Sequence, residues 1–281
     1  MPVADAVEAM IAAKTAKGVS QVYLADLRYR LGAFKEAFHC DVSALVPDDV
    51  ATFCERLRLS PRSYNNFLRV LRTFFAFAQN HGWLSKEADL LARVKKRSEK
   101  ASPVEIFTPS QLTALLKNAS AELVPCLALA AFAGLRAEEI LRLDWADVDR
   151  RPGFIEVAAS KSKTQTRRLV PIADNLALWL AIAPRSAARV WQHSKAWFFE
   201  AMRNAASDAR ITWKQNALRH SFISYRLTEI HDVNRVALEA GNSPQMIFRH
   251  YRELATPEQA RTWFEIKPKS PANIVHLKLA R

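Results

Sequence analysis

The sequence has little cysteine and little glycine. Only three cysteines, Cys40, Cys54 and Cys126, occur among 281 residues, and they form neither a Cys-x-x-Cys motif nor a Cys/His spacing suited to zinc. This pattern argues against a disulfide scaffold or a zinc module, so we expect no metal and no cofactor. The 6 glycines argue against a fold rich in tight turns, whereas frequent Ala, Leu, Arg and Glu predict mostly helix.

Long apolar runs are also missing. The longest uncharged apolar stretch, residues 123–135, contains Pro125 and is too short to cross a bilayer. Residues 1–17 carry Asp5, Glu8 and Lys14, which interrupt any signal-peptide core. We therefore expect no membrane partner and a cytoplasmic, nucleoid-associated protein of a prokaryote.

Positive charge is in excess throughout the chain. There are 41 Lys and Arg against 28 Asp and Glu, a net charge of +13. Residues 1–100 contribute 16 basic and 11 acidic groups (+5), and residues 101–281 contribute the remaining 25 and 17 (+8), so no single tail is the source. A surplus of this size favours a polyanionic partner, since each neutralised phosphate releases counterions. A soluble protein that is merely basic is the alternative interpretation.

Residues 1–92 are predicted to form a small domain of four helices. Residues 3–17 are amphipathic and stop at Gly18, and Ser20 can cap a second helix. Ser60 followed by Pro61 opens a long helix that closes near Gly82. The phenylalanines of that helix recur on one face, which is more typical of a core than of a base-stacking platform.

Residues 93–104 have the composition of a basic linker. Its charge would suit a segment lying along a phosphate backbone, although a solvated linker is nearly as well supported. The candidate DNA contacts in this segment are Lys95, Lys96, Arg97 and Lys100.

The second predicted domain spans residues 105–266 and is followed by a basic tail, residues 267–281. Thr108 and Pro109 open its first helix, and most of the later segments have helical patterns. Two short segments, residues 154–158 and 168–172, instead predict strands of a hairpin. The expected fold class is mainly α with a small β-hairpin, in two domains.

Four segments of the second domain carry the chemistry. They are residues 133–143 (AGLRAEEILRL), 161–172 (KSKTQTRRLVPI), 216–222 (NALRHSF), and 241–244 (GNSP) with 249–251 (RHY). In this order they resemble the boxes of the tyrosine recombinases, also called the phage integrase family. The resemblance covers residues 105–265, and it implies a mixed α/β catalytic domain preceded by a helical, SAM-like core-binding domain.

The resemblance also implies roles for single residues. Tyr251 would be the nucleophile, forming a 3′-phosphotyrosyl bond with DNA. Arg136 and Arg219 would hold the nonbridging phosphate oxygens, to which guanidinium forks are well matched. Lys163 would protonate the leaving 5′ oxygen. The implied function is site-specific recombination of double-stranded DNA by a synaptic tetramer, without metal or ATP.

Several of these positions have other interpretations. Arg136 could cap helix carbonyls or pair with Glu139, and an isolated Tyr251 would be an ordinary half-buried tyrosine. Lys161 is the second choice for the catalytic lysine. The hairpin cations Lys161, Arg167 and Arg168 are also candidate DNA contacts.

Two positions depart from the family pattern. Asn216 and Asn242 stand where the family commonly has His, and His or Trp, respectively. Asparagine can hydrogen-bond a phosphate but cannot exchange protons near neutral pH. His220 and His250 lie near key positions, but a shift of one residue turns a helical side chain by about 100°, so we expect neither to be a simple substitute. A catalytically weak or silent relative, acting as a DNA-binding accessory or regulator, is therefore the alternative function.

Overall fold

The chain folds into two compact units, Met1–Ala101 and Ser102–Arg281. The computed structural model describes residues 1–99, 103–161, 167–251 and 255–269. Within these ranges no helix is both long and apolar enough to span a membrane.

The first unit is helical. Ser20 and Ser60 cap their helices by accepting hydrogen bonds from the backbone N–H groups of Tyr23 and Ser63. Proline at the first helical position starts two of the helices without loss of a backbone bond. The helices are α1 (Val3–Ala16), α2 (Gln21–Ala37), α3 (Pro47–Arg56) and α4 (Pro61–Asn80).

Aromatic side chains form the centre of this unit. Phe34 is fully buried and contacts Phe53, Phe74 and Phe75 edge-on, with ring centroids 5.4–5.9 Å apart. Phe67 is also buried. The prediction that the phenylalanine stripe of α4 belongs to the core is therefore confirmed.

The segment after α4 folds back on the first unit. The guanidinium of Arg97 lies 3.8 Å from the centre of the Tyr64 ring and donates to the carbonyls of Leu57 and Leu59. The Asn65 side chain accepts a hydrogen bond from the Arg97 backbone N–H and donates to its carbonyl. The Arg97 side chain is thus engaged in packing this segment, and its predicted contact with DNA stays a prediction.

The other cations of the segment differ from Arg97. Lys95 and Lys96 are exposed. Lys100 lies outside the described residues.

The second unit contains ten α-helices, one short 3₁₀ helix (Ala159–Lys161) and one hairpin among its described residues. The helices are α5 (Pro109–Asn118), α6 (Val124–Phe132), α7 (Ala137–Ile140), α8 (Trp145–Asp149), α9 (Asp174–Ala181), α10 (Lys195–Asp208), α11 (Ala217–Ile230), α12 (Val233–Ala240), α13 (Pro244–Tyr251) and α14 (Pro257–Phe264). The strands are β1 (Phe154–Val157) and β2 (Arg168–Pro171).

Helix α6 is the centre of this unit. All its residues are buried, because it is apolar on every side and α5, α9 and α11 pack around it. Trp263 of α14 is fully buried and donates its indole N–H to the carbonyl of Ala131 at 2.9 Å. The packing of α6 fixes the position of its carboxyl end, from which the candidate site begins.

The hairpin has the predicted strands, and β1 pairs antiparallel with β2 in the register Phe154↔Pro171 to Val157↔Arg168. Helix α8 was not predicted. Its signal was present, since the Asp147 carboxylate, three residues after Asp144, accepts a hydrogen bond from the Asp144 backbone N–H at 2.9 Å.

Candidate active site

The site begins at a tight turn after α6. Gly134 has a φ of +62°, and a Cβ at this position would overlap the ring of Phe222. Only glycine therefore permits both the left-handed backbone and the close approach of α11. The carbonyl of Gly134 accepts a hydrogen bond from Nη1 of Arg219.

Arg136 follows this turn and precedes α7. Its Nη1 donates to Oε1 of Glu139 at 2.9 Å, and its backbone N–H donates to Oε2 at 2.9 Å. Its Nη2 donates to the carbonyl of Gly241 at 2.6 Å, which ties the turn to the end of α12. The capping and the pairing with Glu139 considered from the sequence are thus both present, and the Arg136 side chain still keeps 20% of its surface exposed.

Glu139 is the acidic centre of the site. Its carboxylate is 1% exposed and accepts two hydrogen bonds from Arg168, at 3.0 and 2.7 Å. Burial would raise the pKa of Glu139, but the hydrogen bonds and charges of Arg168 and Arg136 outweigh it and hold the pKa below its ordinary value. Glu139 is therefore a carboxylate that orients two guanidinium groups.

Arg219 is the most deeply buried cation of the site. It is 8% exposed, and its Nη2 finds no hydrogen-bond partner among the described residues. Burial, together with the charges of Arg136 and Arg168, lowers the pKa of Arg219 to about 9, although Glu139 and Tyr251 act in the opposite direction. A buried guanidinium with an unused donor is a costly arrangement unless an anion joins it.

Tyr251 lies at the end of α13 and is 6% exposed. Its phenolic oxygen is hydrogen-bonded to Nδ1 of His220 at 2.6 Å. Burial raises the pKa of Tyr251, and the charges of Arg219 and Arg136 oppose this rise. The phenolic oxygen thus faces a polar, cationic site and is not enclosed by apolar side chains alone.

The lysines of the hairpin loop have different positions. Lys163, the predicted catalytic lysine, lies outside the described residues. The ammonium of Lys161 donates to Asp144 and Asp147, each at 2.6 Å. Burial would lower the pKa of Lys161, but the hydrogen bonds to the two carboxylates outweigh it and raise the pKa. Lys161, our second choice for catalysis and a predicted DNA contact, is thus paired with two carboxylates at the start of α8.

The arginines of the hairpin also differ from each other. Arg167 is half exposed and pairs with Glu156 at 2.9 Å, so it remains at the surface. Arg168, which we predicted as a DNA contact, is 9% exposed and binds Glu139 and the carbonyl of Glu239. It therefore supports the site from within.

The two asparagines lie at helix ends. Asn216 is exposed and has a left-handed backbone, with φ +58°, immediately before α11. Asn242 follows Gly241 and closes α12 by donating its backbone N–H to the carbonyl of Ala237 at 3.0 Å. Neither residue supplies the site with a proton-exchanging group.

One contact of Tyr251 was missed by sequence reasoning. Successive side chains of a helix point about 100° apart, so Arg219 and His220 point in different directions. Both still reach the site, because groups of the site lie on more than one side of this end of α11. Arg219 reaches the α6 turn and His220 reaches α13. We expected His220 not to be a simple substitute for a family histidine, and the structure places its ring against the Tyr251 hydroxyl. No local signal reveals this contact, whereas the position of Glu139 three residues after Arg136 was a usable signal.

Among the described residues, no three His, Cys, Asp or Glu side chains come together as a possible metal site. The polar groups that converge are two arginines, a histidine and a phenol, with a third arginine held behind them by Glu139. A sequence model described as the phage integrase family matches residues 105–256, which contain all of these groups.

The chain belongs to the phage integrase family. Among curated relatives, tyrosine recombinase XerD of Staphylococcus epidermidis is 23% identical over 239 residues, covering 75% of this chain and 78% of the relative. XerD of Staphylococcus saprophyticus is 22% identical over 238 residues, with the same coverage.

Solved integrase structures share the fold. A lambda integrase dimer bound to a COC′ core site has a TM-score of 0.76 at 14% identity, covering 91% of this chain and 98% of the other. The Tn1549 transposon integrase in complex with a circular intermediate DNA has a TM-score of 0.67 at 16% identity, covering 93% and 98%. The predicted family and fold class, mainly helical with a small hairpin, are confirmed.

Proposed function

We propose that the protein is a site-specific DNA recombinase that cuts and rejoins DNA through a 3′-phosphotyrosyl bond at Tyr251. The observation that carries the proposal is the unused Nη2 of the buried Arg219. It belongs to a cationic site that also includes Arg136, and the charges of both arginines act on the Tyr251 phenol. A phosphodiester would supply the missing acceptor and an anionic charge at this point.

The chemistry of the site suits transfer of a phosphodiester without a metal. Attack by the Tyr251 oxygen forms a P–O bond and breaks the bond from phosphorus to the 5′ oxygen of DNA. Arg136 and Arg219 stabilise the negative charge that develops on the nonbridging oxygens in the transition state. Such electrostatic stabilisation is usually the largest single contribution to catalysis. The covalent bond conserves the energy of the phosphodiester, so a 5′ hydroxyl can reverse the reaction without ATP.

A proton must reach the leaving 5′ oxygen in this reaction. We assign that donor to Lys163, on the family resemblance of the hairpin sequence. Asn216 and Asn242 would hold the phosphate by hydrogen bonds from their amides.

The proposed partner is double-stranded DNA. The net charge of +13 supports this, as do the exposed side chains of Lys95 and Lys96. Related structures include a lambda integrase tetramer bound to a Holliday junction, with a TM-score of 0.72 at 13% identity. We extend that assembly to this chain, with residues 1–92 as the core-binding domain and residues 105–266 as the catalytic domain.

The decisive experiment is covalent trapping. The protein is incubated with nicked suicide duplexes from a randomised library, and adducts that survive denaturation are isolated and sequenced. We expect an adduct that Tyr251→Phe abolishes, while the control Tyr29→Phe, at an exposed tyrosine, leaves it intact. Equal absence of adduct in wild type and Tyr251→Phe, across several pH values, would contradict the proposal.

A catalytically weak or silent DNA-binding relative is the second candidate, and Asn216 and Asn242 are the observations that favour it. Relaxation of supercoiled plasmid separates the two, since an active enzyme nicks and reseals DNA without a second site. Wild-type relaxation supports the recombinase. If only the double variant Asn216→His, Asn242→His relaxes the plasmid, the natural protein is the silent relative.

A further inference from the structure

The contact between His220 and Tyr251 joins two elements that the sequence does not connect. His220 lies in the first turn of α11 and Tyr251 at the end of α13, and these helices pack together. The ring centroids of His220 and Tyr251 are 5.5 Å apart, and Nδ1 of His220 lies 2.6 Å from the phenolic oxygen of Tyr251. A neutral imidazole protonated on Nε2 accepts a hydrogen bond at Nδ1, and a phenol at this distance donates one.

We propose that His220 is the catalytic base that takes the proton of Tyr251 as its oxygen attacks phosphorus. This inference rests on the proposed function. The bond from the Tyr251 oxygen to phosphorus forms while the phenolic proton moves to Nδ1 of His220. The bond from phosphorus to the 5′ oxygen breaks, and that oxygen takes its proton from a separate acid, assigned above to Lys163. In rejoining, a 5′ hydroxyl attacks phosphorus and gives its proton to the group that donated one in cleavage, assigned above to Lys163. The bond from phosphorus to the Tyr251 oxygen breaks, and protonated His220 returns its proton to the departing phenol.

The phenol requires such an acceptor. Burial raises the pKa of Tyr251, so its hydroxyl is protonated at neutral pH. The nearby guanidinium groups of Arg136 and Arg219 are donors and cannot accept a proton. The amides of Asn216 and Asn242 cannot accept one near neutral pH either.

Geometry makes His220 suitable for this role. A general base must lie within hydrogen-bonding distance of the proton that it abstracts, and the 2.6 Å contact meets that condition directly. Because Arg219 and His220 are neighbours on α11, one helix end delivers both a phosphate ligand and the base. The substitutions at positions 216 and 242 therefore need not remove all acid/base capacity from the site.

The first test measures the rate of adduct formation with the duplex selected by trapping. We expect His220→Gln to slow the reaction by about 10²-fold, within the range of general base catalysis. The matched control is His193→Gln, which removes another hydrogen-bonded imidazole of the same unit, bound to Glu122 at 2.8 Å. This control is expected to react like wild type.

The second test separates proton transfer from packing. Replacing Tyr251 with 3,5-difluorotyrosine makes the phenol more acidic, so its attack depends less on a base. For tyrosine and for 3,5-difluorotyrosine at this position, the rate of adduct formation with His220 is divided by the rate with the His220→Gln variant. We expect this ratio to fall at least tenfold with the fluorinated nucleophile. An unchanged ratio would show that His220 only positions the ring and would overturn the inference.

The remaining outcomes are also distinct. If His220→Gln reacts as fast as or faster than wild type, the contact is dispensable or restraining, and the inference fails while the proposed function stands. If wild type forms no adduct at all, the proposed function fails, and this inference fails with it.

Discussion

Glu139 binds Arg168 through both carboxylate oxygens, at 3.0 and 2.7 Å. The same carboxylate receives the side chain and the backbone N–H of Arg136. One buried anion therefore connects strand β2 to the turn after α6. Without it, Arg136, Arg168 and Arg219 would present three positive charges to one another at a site with little solvent.

Removing this anion should destabilise the fold and the site together. For Glu139→Gln we expect the free energy of unfolding to fall by about 3 kcal/mol, because a buried pair has lost one partner. Glu138→Gln is the control, since Glu138 is 46% exposed and pairs with the surface cations Arg142 and Lys195. Urea denaturation followed by circular dichroism measures both. Equal effects of the two variants would contradict a central role for Glu139.

Arg219→Lys tests the need for a planar fork at the buried position. Lysine keeps the charge but presents a single ammonium, so we expect adduct formation to slow by about 10²-fold, as for loss of one transition-state donor. The control is Arg203→Lys, at an exposed position of α10. DNA affinity, measured by fluorescence anisotropy, should change little in either variant. A fully active Arg219→Lys protein would refute the assignment.

The turn before Arg136 can be tested with alanine. Gly134→Ala adds both a left-handed backbone strain and a clash with Phe222, and we expect a loss of about 3 kcal/mol or more in unfolding free energy. Gly153 has a φ of +77°, but a Cβ there meets nothing within 4 Å. Gly153→Ala should therefore lose only about 1 kcal/mol. Thermal denaturation measures the stability of both variants. A loss for Gly134→Ala no larger than that for Gly153→Ala would disprove the close approach of α11 to Gly134.

The cations of the basic segment after α4 should have two different roles: Arg97 stabilises the fold, and Lys96 at the surface contributes to DNA binding. We expect Arg97→Ala to destabilise the protein by about 2 kcal/mol, since it removes the contact with Tyr64 and the bonds to Leu57 and Leu59. Lys96→Ala should leave stability unchanged, weaken DNA binding and reduce its salt dependence. Anisotropy titrations at several salt concentrations provide the check, and the reverse pattern would contradict our interpretation.

Alkaline pH should weaken the fold through Tyr225. Its hydroxyl donates to the carbonyl of Phe107 at 2.9 Å, and burial raises its pKa to about 12. The folded protein therefore favours the protonated phenol. This contribution is complete below the unfolded pKa of about 10 and is lost as the pH rises to about 12, on the order of 2–3 kcal/mol.

The matched variant for this prediction is Tyr225→Phe. Tyr64 and Tyr251, whose pKa values are also raised by burial, titrate in both proteins. The unfolding free energy of the variant should therefore fall less steeply than that of wild type as the pH rises from about 10 to about 12. Parallel curves from denaturation at each pH would rule out the contribution of Tyr225.

Local patterns predicted much of the fold correctly. The caps at Ser20, Ser60 and Thr108 start helices where expected, because a capping hydroxyl and the N–H that it accepts lie three residues apart. The family and the two-stranded hairpin were also predicted. The assignments of Tyr251 and Lys163 stay predictions, and the trapping experiment decides that of Tyr251.

The partners of the charged side chains within the protein were not predicted from the sequence. Arg97, Lys161 and Arg168 were all interpreted as DNA contacts, yet each is held by groups of the protein itself. A cation in a sequence carries no mark of whether a carboxylate or carbonyl will be near it after folding. For Arg168 the partner is 29 residues away, and for Arg136 one partner is 105 residues away.

The sequence by itself determined the helix starts at Ser20, Ser60 and Thr108 and the two strands of the hairpin, because these depend on neighbours a few positions apart. Only the tertiary structure decided which groups meet: Arg219 with the carbonyl of Gly134, and His220 with the Tyr251 hydroxyl. The reason is that such contacts depend on how α6, α11 and α13 pack. That packing is set by the whole apolar core and not by any short segment of the chain.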